Sequence, residues 1–383
     1  MNLLLVGIAA IGTVASTGYC VLSLWAGFRF ASERKRIAPA ANDLPPVSIL
    51  KPVKGTDPEM YLSLRSHCVQ DYPGYEILFG ISDPNDPALA VVEKLQREFP
   101  ARTIKLVPCE QKLGANGKVS SLAQMVPEAK HEFLLVNDSD IRVDPDYLRT
   151  VMTELQEPDT GVVTCLYRGV SAHTIASNIE SLGISTDFMA GVLAAWQLEG
   201  GLQFGLGATL AFHRSDLDAI GGFEAIVDYL ADDYELGRRI CKRNRKVKLS
   251  QTVVETFLPA YDFPGFFSHQ LRWARTIRAA RPSGYAGLLL TFTLPWAILT
   301  LMLARGAVWA WVLFVIAVVM RMSMALAVGK SVLRDKEVLR SWWLIPVRDF
   351  LALVVWFRGL FGRRILWRGD VFQLRRGKLQ RLE

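Results

Sequence analysis

The sequence predicts an α/β domain with a doubly wound sheet, attached to a membrane by apolar helices. Segments with strand-like and helix-like patterns alternate between residues 47 and 140, which is typical of a parallel sheet with crossover helices. Uncharged apolar runs of membrane-spanning length occur at residues 3–28 and again beyond residue 282. The chain has 383 residues, which is long enough for a complete sheet domain and additional helices.

Composition favours a membrane-associated protein and argues against a nucleic-acid-binding one. Hydrophobic residues make up 51% of the chain and charged residues only 21%. The formal net charge is +7, but Lys and Arg are concentrated beside the apolar runs and near the C-terminus, which fits an anionic lipid leaflet. The five cysteines are scattered without C-x-x-C spacing. That argues against a disulfide framework or a zinc site and is compatible with a reducing cytoplasm.

Residues 1–36 are predicted to form an N-terminal transmembrane anchor. No charged residue occurs from residue 3 to residue 28. A basic cluster follows directly, consisting of Arg29, Arg34, Lys35 and Arg36. By the positive-inside rule this end of the helix lies in the cytoplasm. A cleaved signal peptide would carry its positive charge before the apolar run and small residues after it, and neither pattern occurs. Residues 38–46 are a linker by composition.

The predicted domain, residues 37–280, starts with four strands and the helical segments between them. The strands are expected at 47–53, 75–83, 103–107 and 133–136, and the helical segments at 58–70, 87–99 and 119–125. The loop before the last helical segment contains Gly114, Gly117 and Lys118. Glycines and a lysine at a helix start suit an anion, although a plain helix cap explains them equally well. The second half is expected to contain a strand at 161–167, a helix at 175–198 and a Gly-rich strand at 205–214.

The fourth strand leads into two carboxylates separated by one residue, Asp138 and Asp140. Alternate residues of an extended segment point the same way, so both can reach one divalent cation at the strand's carboxyl end, where open α/β sheets bind ligands. Hard oxygen ligands suit Mg²⁺ or Mn²⁺. The alternative is an Asx-type turn that closes the strand. Farther along, Asp232 and Asp233 lie at a predicted helix start, where acids commonly complement the helix dipole.

Residues 281–383 are predicted to form a C-terminal membrane segment and a basic tail. Residues 282–304 are uncharged, and Arg321 is the one charge within residues 306–329. We expect two helices around a tight turn at Arg305. Basic residues follow the second helix and return the chain to the cytoplasm, namely Lys330, Arg334, Lys336 and Arg340.

The third apolar stretch, residues 342–361, has two interpretations. It carries Arg348 and Asp349 at its middle, and a strongly basic tail follows it. In a simple span this tail would face outward, against the positive-inside rule, and a charged pair would lie at mid-membrane. We therefore expect a re-entrant or interfacial segment with a cytoplasmic tail. A true span with an intramembrane salt bridge is the alternative.

Several motifs, taken in order, resemble those of glycosyltransferases with the GT-A fold. The series D, DxD, D, (Q/R)xxRW of processive and lipid-acceptor enzymes is similar to Asp83, Asp138-Ser139-Asp140, Asp233 and His269-Gln270-Leu271-Arg272-Trp273. More narrowly, the ceramide glucosyltransferase family, with its bacterial hopanoid-biosynthesis-associated relatives, resembles the chain at 49–55, 82–88, 116–118, 140–143 and 367–369. His269 departs from the pattern, which has Gln or Arg in this motif, and Gln270 lies one place along.

The resemblance implies a role for each matching residue. Asp83 would contact uridine, while Asp138 and Asp140 would hold Mn²⁺ or Mg²⁺ on the diphosphate. Asp233, rather than its neighbour Asp232, would be the catalytic base. The implied substrate-binding residues are Lys51, Asp83, Lys118, His269, Gln270, Arg272 and Trp273. Of these, Lys118 and Arg272 would contact the phosphates, and Trp273 would stack near the acceptor or anchor the helix at the membrane interface.

The expected function is inverting transfer of a sugar, glucose favoured, from a UDP-sugar to the hydroxyl of a ceramide-type lipid. The catalytic domain would lie on the cytoplasmic side of the inner (cell) membrane. The alternative acceptor is a hopanoid, bacteriohopanetetrol, with N-acetylglucosamine as the sugar. A polysaccharide synthase would require more transmembrane helices to line a channel. A non-catalytic scaffold would be expected to lack the carboxylates, which are present here.

Overall fold

The computed structural model describes residues 3–34, 44–367 and 370–381, which belong to two compact units. We call them the helical unit (Met1–Ile37, Gly169–Leu198 and Ala260–Asp370) and the sheet unit (Ala38–Arg168, Glu199–Pro259 and Val371–Glu383). Most of the predicted linker lies outside the described residues, as do Lys35, Arg36, Arg368 and Gly369. The three-part division at residues 36/37 and 280/281 stays a prediction, because compactness alone assigns no function to a segment.

The helices and strands are numbered in chain order. The first half contains α1 (Leu3–Arg34), β1 (Val47–Pro52), α2 (Met60–Cys68), β2 (Tyr75–Ile81), α3 (Ala88–Glu98), β3 (Thr103–Pro108), α4 (Gly117–Met125), β4 (Phe133–Val136), β5 (Ile141–Arg142), α5 (Tyr147–Leu155) and β6 (Thr160–Val170). The second half contains α6 (Ile175–Gly183), α7 (Met189–Leu198), β7 (Leu210–His213), α8 (Arg214–Ala219), α9 (Asp232–Cys241), β8 (Lys246–Phe257), α10 (Phe263–Ala280), α11 (Pro282–Gly287), α12 (Thr293–Leu303), α13 (Val308–Leu326), α14 (Glu337–Ser341), α15 (Ile345–Gly359), β9 (Arg364–Trp367), β10 (Asp370–Arg375) and β11 (Lys378–Arg381).

An eight-stranded sheet in the order β3-β2-β1-β4-β7-β6-β8-β5 is the centre of the sheet unit. The first four strands of that order run parallel, whereas β7 is antiparallel to both β4 and β6. The chain moves outward from β1 to β3 and then returns to place β4 on the other side of β1. Ligands of open α/β sheets bind in the crevice at such a reversal, outside the carboxyl ends of the strands.

The buried apolar runs of the sequence form the parallel strands, as predicted. Every residue of β2 is buried, as is typical of a parallel strand covered on both faces. The predicted strand at 205–214 is shorter in the structure, because the Thr209 amide donates to the Leu206 carbonyl (3.1 Å) and closes a turn before β7 begins. The 12-residue strand β8 was not predicted.

Long apolar helices dominate the helical unit. Among the described residues, two segments are long and apolar enough to cross a membrane, Leu3–Glu33 and Val308–Val332. The segment predicted as one straight helix over 282–304 is instead a bent pair, in which Pro282–Thr291 and Thr293–Leu303 meet at 54°. This pair is compatible with a broken span or with a re-entrant loop.

Small and polar residues bring α1 and α12 together. The hydroxyl oxygens of Thr13 and Thr300 are 2.8 Å apart and share a buried hydrogen bond. A Cβ atom at Gly12 would lie 2.4 Å from the Trp296 ring, so the indole packs directly on the backbone of α1. Close approach at small residues and hydroxyl hydrogen bonds are the usual means of holding apolar helices together in lipid.

The third apolar stretch, residues 342–361, contains α15. This helix has 15 residues, and at a rise of about 1.5 Å per residue its length is about 22 Å. A 3₁₀ turn at Trp342–Leu344 precedes α15 without a break, and the interfacial or re-entrant placement of the whole stretch stays a prediction.

Four charged residues of the helical unit form one cluster, which we call the ion cluster: the half-buried Asp187 and the buried Arg321, Arg348 and Asp349. The Arg321 guanidinium donates to both carboxylate oxygens of Asp349 (2.9 and 2.7 Å) and to Asp187 (2.6 Å). Arg348 lies 3.4 Å from the second oxygen of Asp187. The formal charges sum to zero, which lowers the cost of placing them among apolar helices. Arg348 and Asp349 thus each have a partner elsewhere in the unit.

A π-helical turn at residues 184–188 carries Asp187 into this cluster. The sequence predicted one continuous helix over 175–198, and the turn is the interruption in it. Just before the turn, a Cβ atom at Gly183 would lie 2.2 Å from the Arg348 Nε, so the guanidinium packs on bare backbone. Such π-turns are frequently found at functional sites.

Candidate functional site

The loop that follows β4 is fixed by the buried side chain of Asn137. Its amide nitrogen donates to the Ala208 carbonyl (2.7 Å) and to the Tyr147 hydroxyl (3.0 Å). Asp138 and Asp140 were predicted to extend a strand, but β4 ends at Val136. Both aspartates lie in the turn between β4 and β5, because the Ile141 amide donates back to the Asp138 carbonyl (3.4 Å).

Lys118 connects this loop to the start of α9. Asn116 caps α4 by accepting a hydrogen bond from the Val119 amide, which sets Lys118 in the first turn of the helix. The ammonium lies 2.7 Å from Asp138 Oδ1 and 3.1 Å from Asp232 Oδ2. Burial lowers the pKa of Lys118, but the two carboxylates raise it by more, so the pKa lies above its usual value and the lysine stays charged.

Asp233 lies beside this ion pair with both carboxylate oxygens engaged. Oδ2 accepts from the Gly207 amide (2.8 Å) and Oδ1 accepts from the Tyr234 amide (2.7 Å). Burial, and secondly the negative charge of Asp232, raise the pKa of Asp233 to about 7. A carboxylate with a pKa near neutrality is well suited to accept a proton at physiological pH.

Asp140 is the second carboxylate of the loop after β4. Its Oδ2 accepts a hydrogen bond from the Thr256 hydroxyl (2.5 Å). Burial, and then the charge of Asp138, raise the pKa of Asp140 to about 6. The two carboxylates therefore repel one another at neutral pH, and a bound divalent cation would relieve that repulsion.

The carboxylate oxygens of Asp138 and Asp140 are hard donor atoms, which suit Mg²⁺ or Mn²⁺. Within residues 3–34, 44–367 and 370–381, no group of three or more His, Cys, Asp or Glu side chains could hold a metal ion. Mg²⁺ is usually held by one or two carboxylates and completes its coordination with water and substrate phosphates, and Asp138 and Asp140 would supply two such carboxylates.

Lys51 lies beneath the loop. Its side chain is fully buried, and its ammonium donates to the Asp138 carbonyl (3.1 Å) and lies 3.3 Å from His67 Nε2. Burial lowers the pKa of Lys51 to about 7, although the negative charges of Asp140 and Asp138 raise it in part. The observed contacts support the loop, and the predicted contact between Lys51 and substrate stays a prediction.

Asp83 occupies the loop after β2, at the same end of the sheet. Its side chain is exposed and accepts a hydrogen bond from the Asn85 amide (2.9 Å). Asp86, three residues along, is buried and accepts from the Gly55 amide through both oxygens (2.9 and 3.0 Å). This ties the loop after β2 to the loop after β1 and leaves Asp83 open to a ligand.

The remaining predicted site residues lie on α10 in the helical unit. His269 Nδ1 lies 2.7 Å from the carboxylate of Glu180, whose side chain is completely buried. The imidazole stacks on Tyr261, and Trp273 lies against both His269 and Phe188 with ring centroids 5.4 and 5.5 Å away. Gln270 is buried and Arg272 is half-buried. The helical unit therefore brings His269 and Trp273 together.

Sequence reasoning missed several residues that build the sheet-unit site. Gly207 faces the two central carboxylates, Thr256 holds Asp140, and Asp232 pairs with Lys118. Gly207 was recognised only as part of a Gly-rich strand, and Asp232 was explained by the helix dipole. Thr256 lies in β8, which carried no recognised signal.

A methyl group at Gly207 is expected to impair the site. A Cβ atom there would lie 3.3 Å from Asp138 Oδ2 and 3.4 Å from Asp233 Oδ2, closer than these atoms normally approach. For Gly207→Ala we expect turnover to fall by about tenfold, because the carboxylates must shift by a few tenths of an ångström and a misplacement of about 1 Å can cost about 100-fold in rate. The measurement is kcat, with Gly74→Ala as control, since a Cβ at Gly74 meets only ordinary contacts at 3.5 Å. Equal kcat values for the two variants would contradict the prediction.

A profile of glycosyl transferase family 21 matches residues 8–380 of the chain. Among curated relatives, ceramide glucosyltransferase 3 of Caenorhabditis elegans is 24% identical over 87% of this chain and 73% of its own length. Ceramide glucosyltransferase 1 of the same organism is 26% identical over 62% of this chain, and the chain spans about half (51%) of that relative. Ceramide glucosyltransferase of Komagataella phaffii is 32% identical over 36% of this chain and 29% of its own length.

Among solved structures, the chain is similar to a mannosyltransferase from Pyrobaculum calidifontis in complex with GDP-Man and Mn²⁺. The TM-score is 0.55 with 21% identity, over 92% of this chain and 99% of that one. A likeness at this identity concerns the fold. Together with the family match, it confirms the predicted GT-A α/β fold with apolar helices near the N-terminus and in the C-terminal part.

Proposed function

Because this chain belongs to glycosyl transferase family 21, we propose that it transfers a sugar, glucose favoured, from a UDP-sugar to the hydroxyl of a ceramide-type membrane lipid. The observation that carries the proposal is one group of charged side chains from three segments. Lys118 at the start of α4 lies between Asp138, in the loop after β4, and Asp232, at the start of α9, and it lies beside Asp233. The names of the curated relatives support ceramide as the acceptor. The motif around Asp83 supports uridine in the donor.

The donor side of the site is assigned to Asp138, Asp140 and Lys118. Asp138 and Asp140 would hold the cation, which when bound acts as a Lewis acid that neutralises charge developing on the UDP leaving group. Lys118 would contribute a permanent positive charge to the same phosphates. In the absence of donor that charge is held by Asp138 and Asp232, so Lys118 is already oriented toward the loop when a diphosphate arrives.

Asp233 is assigned as the base for inverting transfer. Inversion in a single displacement needs a group on the face opposite the leaving UDP to accept the proton of the attacking hydroxyl. The Gly207 and Tyr234 amides fix the Asp233 carboxylate in one orientation. Its pKa of about 7 gives it a driving force for accepting that proton which an ordinary exposed aspartate lacks.

The acceptor and the membrane are assigned to the helical unit. The two long apolar helices and the bent pair would anchor the enzyme, with basic residues facing the cytoplasm. His269, Gln270 and Trp273 would line the approach of the acceptor, and the rings of His269 and Trp273 offer an amphipathic surface suited to a lipid near the interface. The phosphate contact implied for Arg272 stays a prediction.

Activity is expected to rise with pH through about 7. Asp233 can act as a base only when it is deprotonated, and its pKa in the free enzyme is raised to about 7 by burial and by Asp232. Because kcat/KM reports the free enzyme, it should increase tenfold per pH unit below the pKa and level off above it. The check is kcat/KM from about pH 5 to about pH 9. A flat profile across this range would remove Asp233 from the role of base.

The proposal is tested with purified protein in detergent, incubated with Mn²⁺ or Mg²⁺ and analysed by lipid mass spectrometry. The donors are UDP-glucose, UDP-N-acetylglucosamine and GDP-mannose, and the acceptors are ceramide and bacteriohopanetetrol. We expect glucosylceramide from UDP-glucose, loss of product with EDTA and recovery with added metal. NMR of the product should show a β linkage from the α-linked donor, as inversion requires.

The other outcomes are equally informative. A glycosylated hopanoid in place of glucosylceramide would change the acceptor and leave the donor site intact. An α-linked product would contradict a single displacement with Asp233 as base. Full activity in EDTA would remove the metal from Asp138 and Asp140. Transfer to neither lipid from any of the three donors would overturn the proposed function.

A further inference from the structure

The basic C-terminal tail of the sequence contains a folded β-hairpin within the sheet unit. Strands β10 and β11 are antiparallel, with Leu374 opposite Leu379 in register. Arg376 and Gly377 form the two-residue turn, with φ angles of 51° and 82°. Positive φ at both central positions is typical of a type I′ turn, and Gly is favoured in such a turn. Phe372, Leu374 and Leu379 are buried, so the hairpin has an apolar face covered by the rest of the protein.

The tip of this hairpin is hydrogen-bonded to the segment 228–230. The Leu230 amide donates to the Gly377 carbonyl (3.1 Å), and the Leu379 amide donates to the Asp228 carbonyl (2.7 Å). Between them, Tyr229 and Lys378 form an antiparallel β-bridge. The Lys378 ammonium also lies 5.2 Å from the centre of the Tyr229 ring, at cation–π distance. The three consecutive residues 228–230, just before α9, are therefore bonded to the β10–β11 hairpin.

The opposite side of segment 228–230 is bonded to the loop that leads into α4. The Asp228 carboxylate accepts from the Ala115 amide (3.0 Å), and the Asn116 side-chain amide donates to the Tyr229 carbonyl (2.7 Å). A Cβ atom at Gly114 would lie 2.5 Å from the Val227 side chain, so the two loops approach at backbone distance. Segment 228–230 is thus enclosed between the hairpin and the α4 loop.

The two segments bonded to one another here, the loop before α4 and segment 228–230, both lead directly into helices that carry charged site residues. Asn116 is the N-cap of α4, and Lys118 follows it by two residues. Leu230 precedes Asp232 and Asp233 by two and three residues at the start of α9. The ion pair between Lys118 and Asp232 (3.1 Å) joins the first turn of α4 to the first turn of α9. A shift of the hairpin tip would move segment 228–230 and, with it, the relative position of the phosphate-binding lysine and the base.

We propose that the β10–β11 hairpin is a positioning element of the catalytic centre, in which Gly377 and Leu379 hold segment 228–230 so that Lys118 and Asp233 keep their geometry. This inference rests on the proposed roles of Lys118 and Asp233. None of the hairpin residues is assigned to touch substrate. Their effect is transmitted through backbone hydrogen bonds over a few residues of chain.

The test uses the full chain with Gly377→Val, because a β-branched residue at φ 82° is incompatible with the turn. Gln380→Val is the matched control, since Gln380 is exposed on the same hairpin and lies away from the turn. The readouts are kcat, the donor KM, thermal unfolding and hydrogen exchange of the Leu230 amide. We expect faster exchange at Leu230 and a fall in kcat of about 100-fold with little change in donor KM, because misplacement by about 1 Å can cost that much in rate.

Leu379→Ala provides a second variant that retains the turn and the backbone amide while removing the buried side chain. It is expected to show the same pattern to a smaller extent, and it carries the test if Gly377→Val fails to fold. Unchanged exchange at Leu230, or kcat equal to that of Gln380→Val, would overturn the proposal. Failure of the proposed function would look different: the unaltered enzyme would show no turnover, while exchange at Leu230 would still report whether the hairpin holds the segment.

Discussion

Replacing Asp233 with asparagine is expected to lower kcat by about 10³-fold, the range in which a general base contributes to proton transfer. Asparagine has nearly the same shape but cannot accept a proton at neutral pH. The donor is assigned to other residues, so binding of UDP with Mn²⁺ should be retained. Calorimetric titration of UDP together with the rate of lipid glycosylation measures both quantities on the same sample.

Two controls accompany this variant. Asp218→Asn makes the same chemical change at an exposed position of α8 and should leave kcat unaffected. Thermal unfolding of Asp233→Asn is also required, because asparagine offers an oxygen to only one of the two amides that Asp233 accepts from, those of Gly207 and Tyr234. Retention of near-normal kcat in Asp233→Asn, with loss in Asp232→Asn, would move the assignment of the base to Asp232.

Replacing Arg321 with leucine is expected to destabilise the protein by about 3–5 kcal/mol, as is typical when one partner of a buried ion pair is removed. Arg321 is 2% exposed and makes three hydrogen bonds to the carboxylates of Asp349 and Asp187. Without it, Arg348 would be the remaining cation of the ion cluster, and Asp349 would be left buried without its partner. The measurement is the midpoint of thermal or urea unfolding in a fixed detergent.

The matched comparison is Arg340→Leu, which breaks an exposed ion pair with Glu337 on α14 and should change the midpoint little. The double variant Arg321→Leu/Asp349→Leu removes both charges of the principal pair and should recover part of the lost stability. If Arg321→Leu unfolds at the same denaturant concentration as Arg340→Leu, the ion cluster makes no net contribution.

Local sequence patterns were sufficient for the parallel half of the sheet. Strands β1, β2 and β4 are largely apolar runs bounded by turn residues, and their burial follows from that pattern, whereas β3 at the edge of the sheet is mostly half-buried or exposed. Asp138 and Asp140 were identified because two carboxylates follow the end of an apolar strand, and Asp233 was preferred to Asp232 because its motif resembles that of a known family. A turn at these two carboxylates was only the alternative prediction, because the hydrogen bond from the Ile141 amide that closes it leaves no trace in composition.

Ion pairs and hydrogen bonds between residues far apart in the chain could not be predicted from the sequence. Arg321, Arg348 and Asp349 were each noted, but nothing local associates them with Asp187, 134 residues before Arg321. The buried position of Lys51 likewise depends on His67 and on the backbone of Asp138. The hairpin was interpreted as part of a basic tail because Arg375, Arg376 and Lys378 dominate its composition. Its buried apolar residues are interspersed with these basic residues, and its strands are too short to give a clear alternating pattern.

The ion cluster also has a consequence for how the chain is made. Arg321 lies within one of the two described segments that are long and apolar enough to cross a membrane, and an unpaired arginine in such a helix opposes insertion. Asp187 has been synthesised long before, whereas Asp349 follows Arg321 by 28 residues. Insertion of α13 during synthesis would therefore have one counter-charge already made, and the charge balance of the cluster would be complete only once the chain had been extended as far as α15.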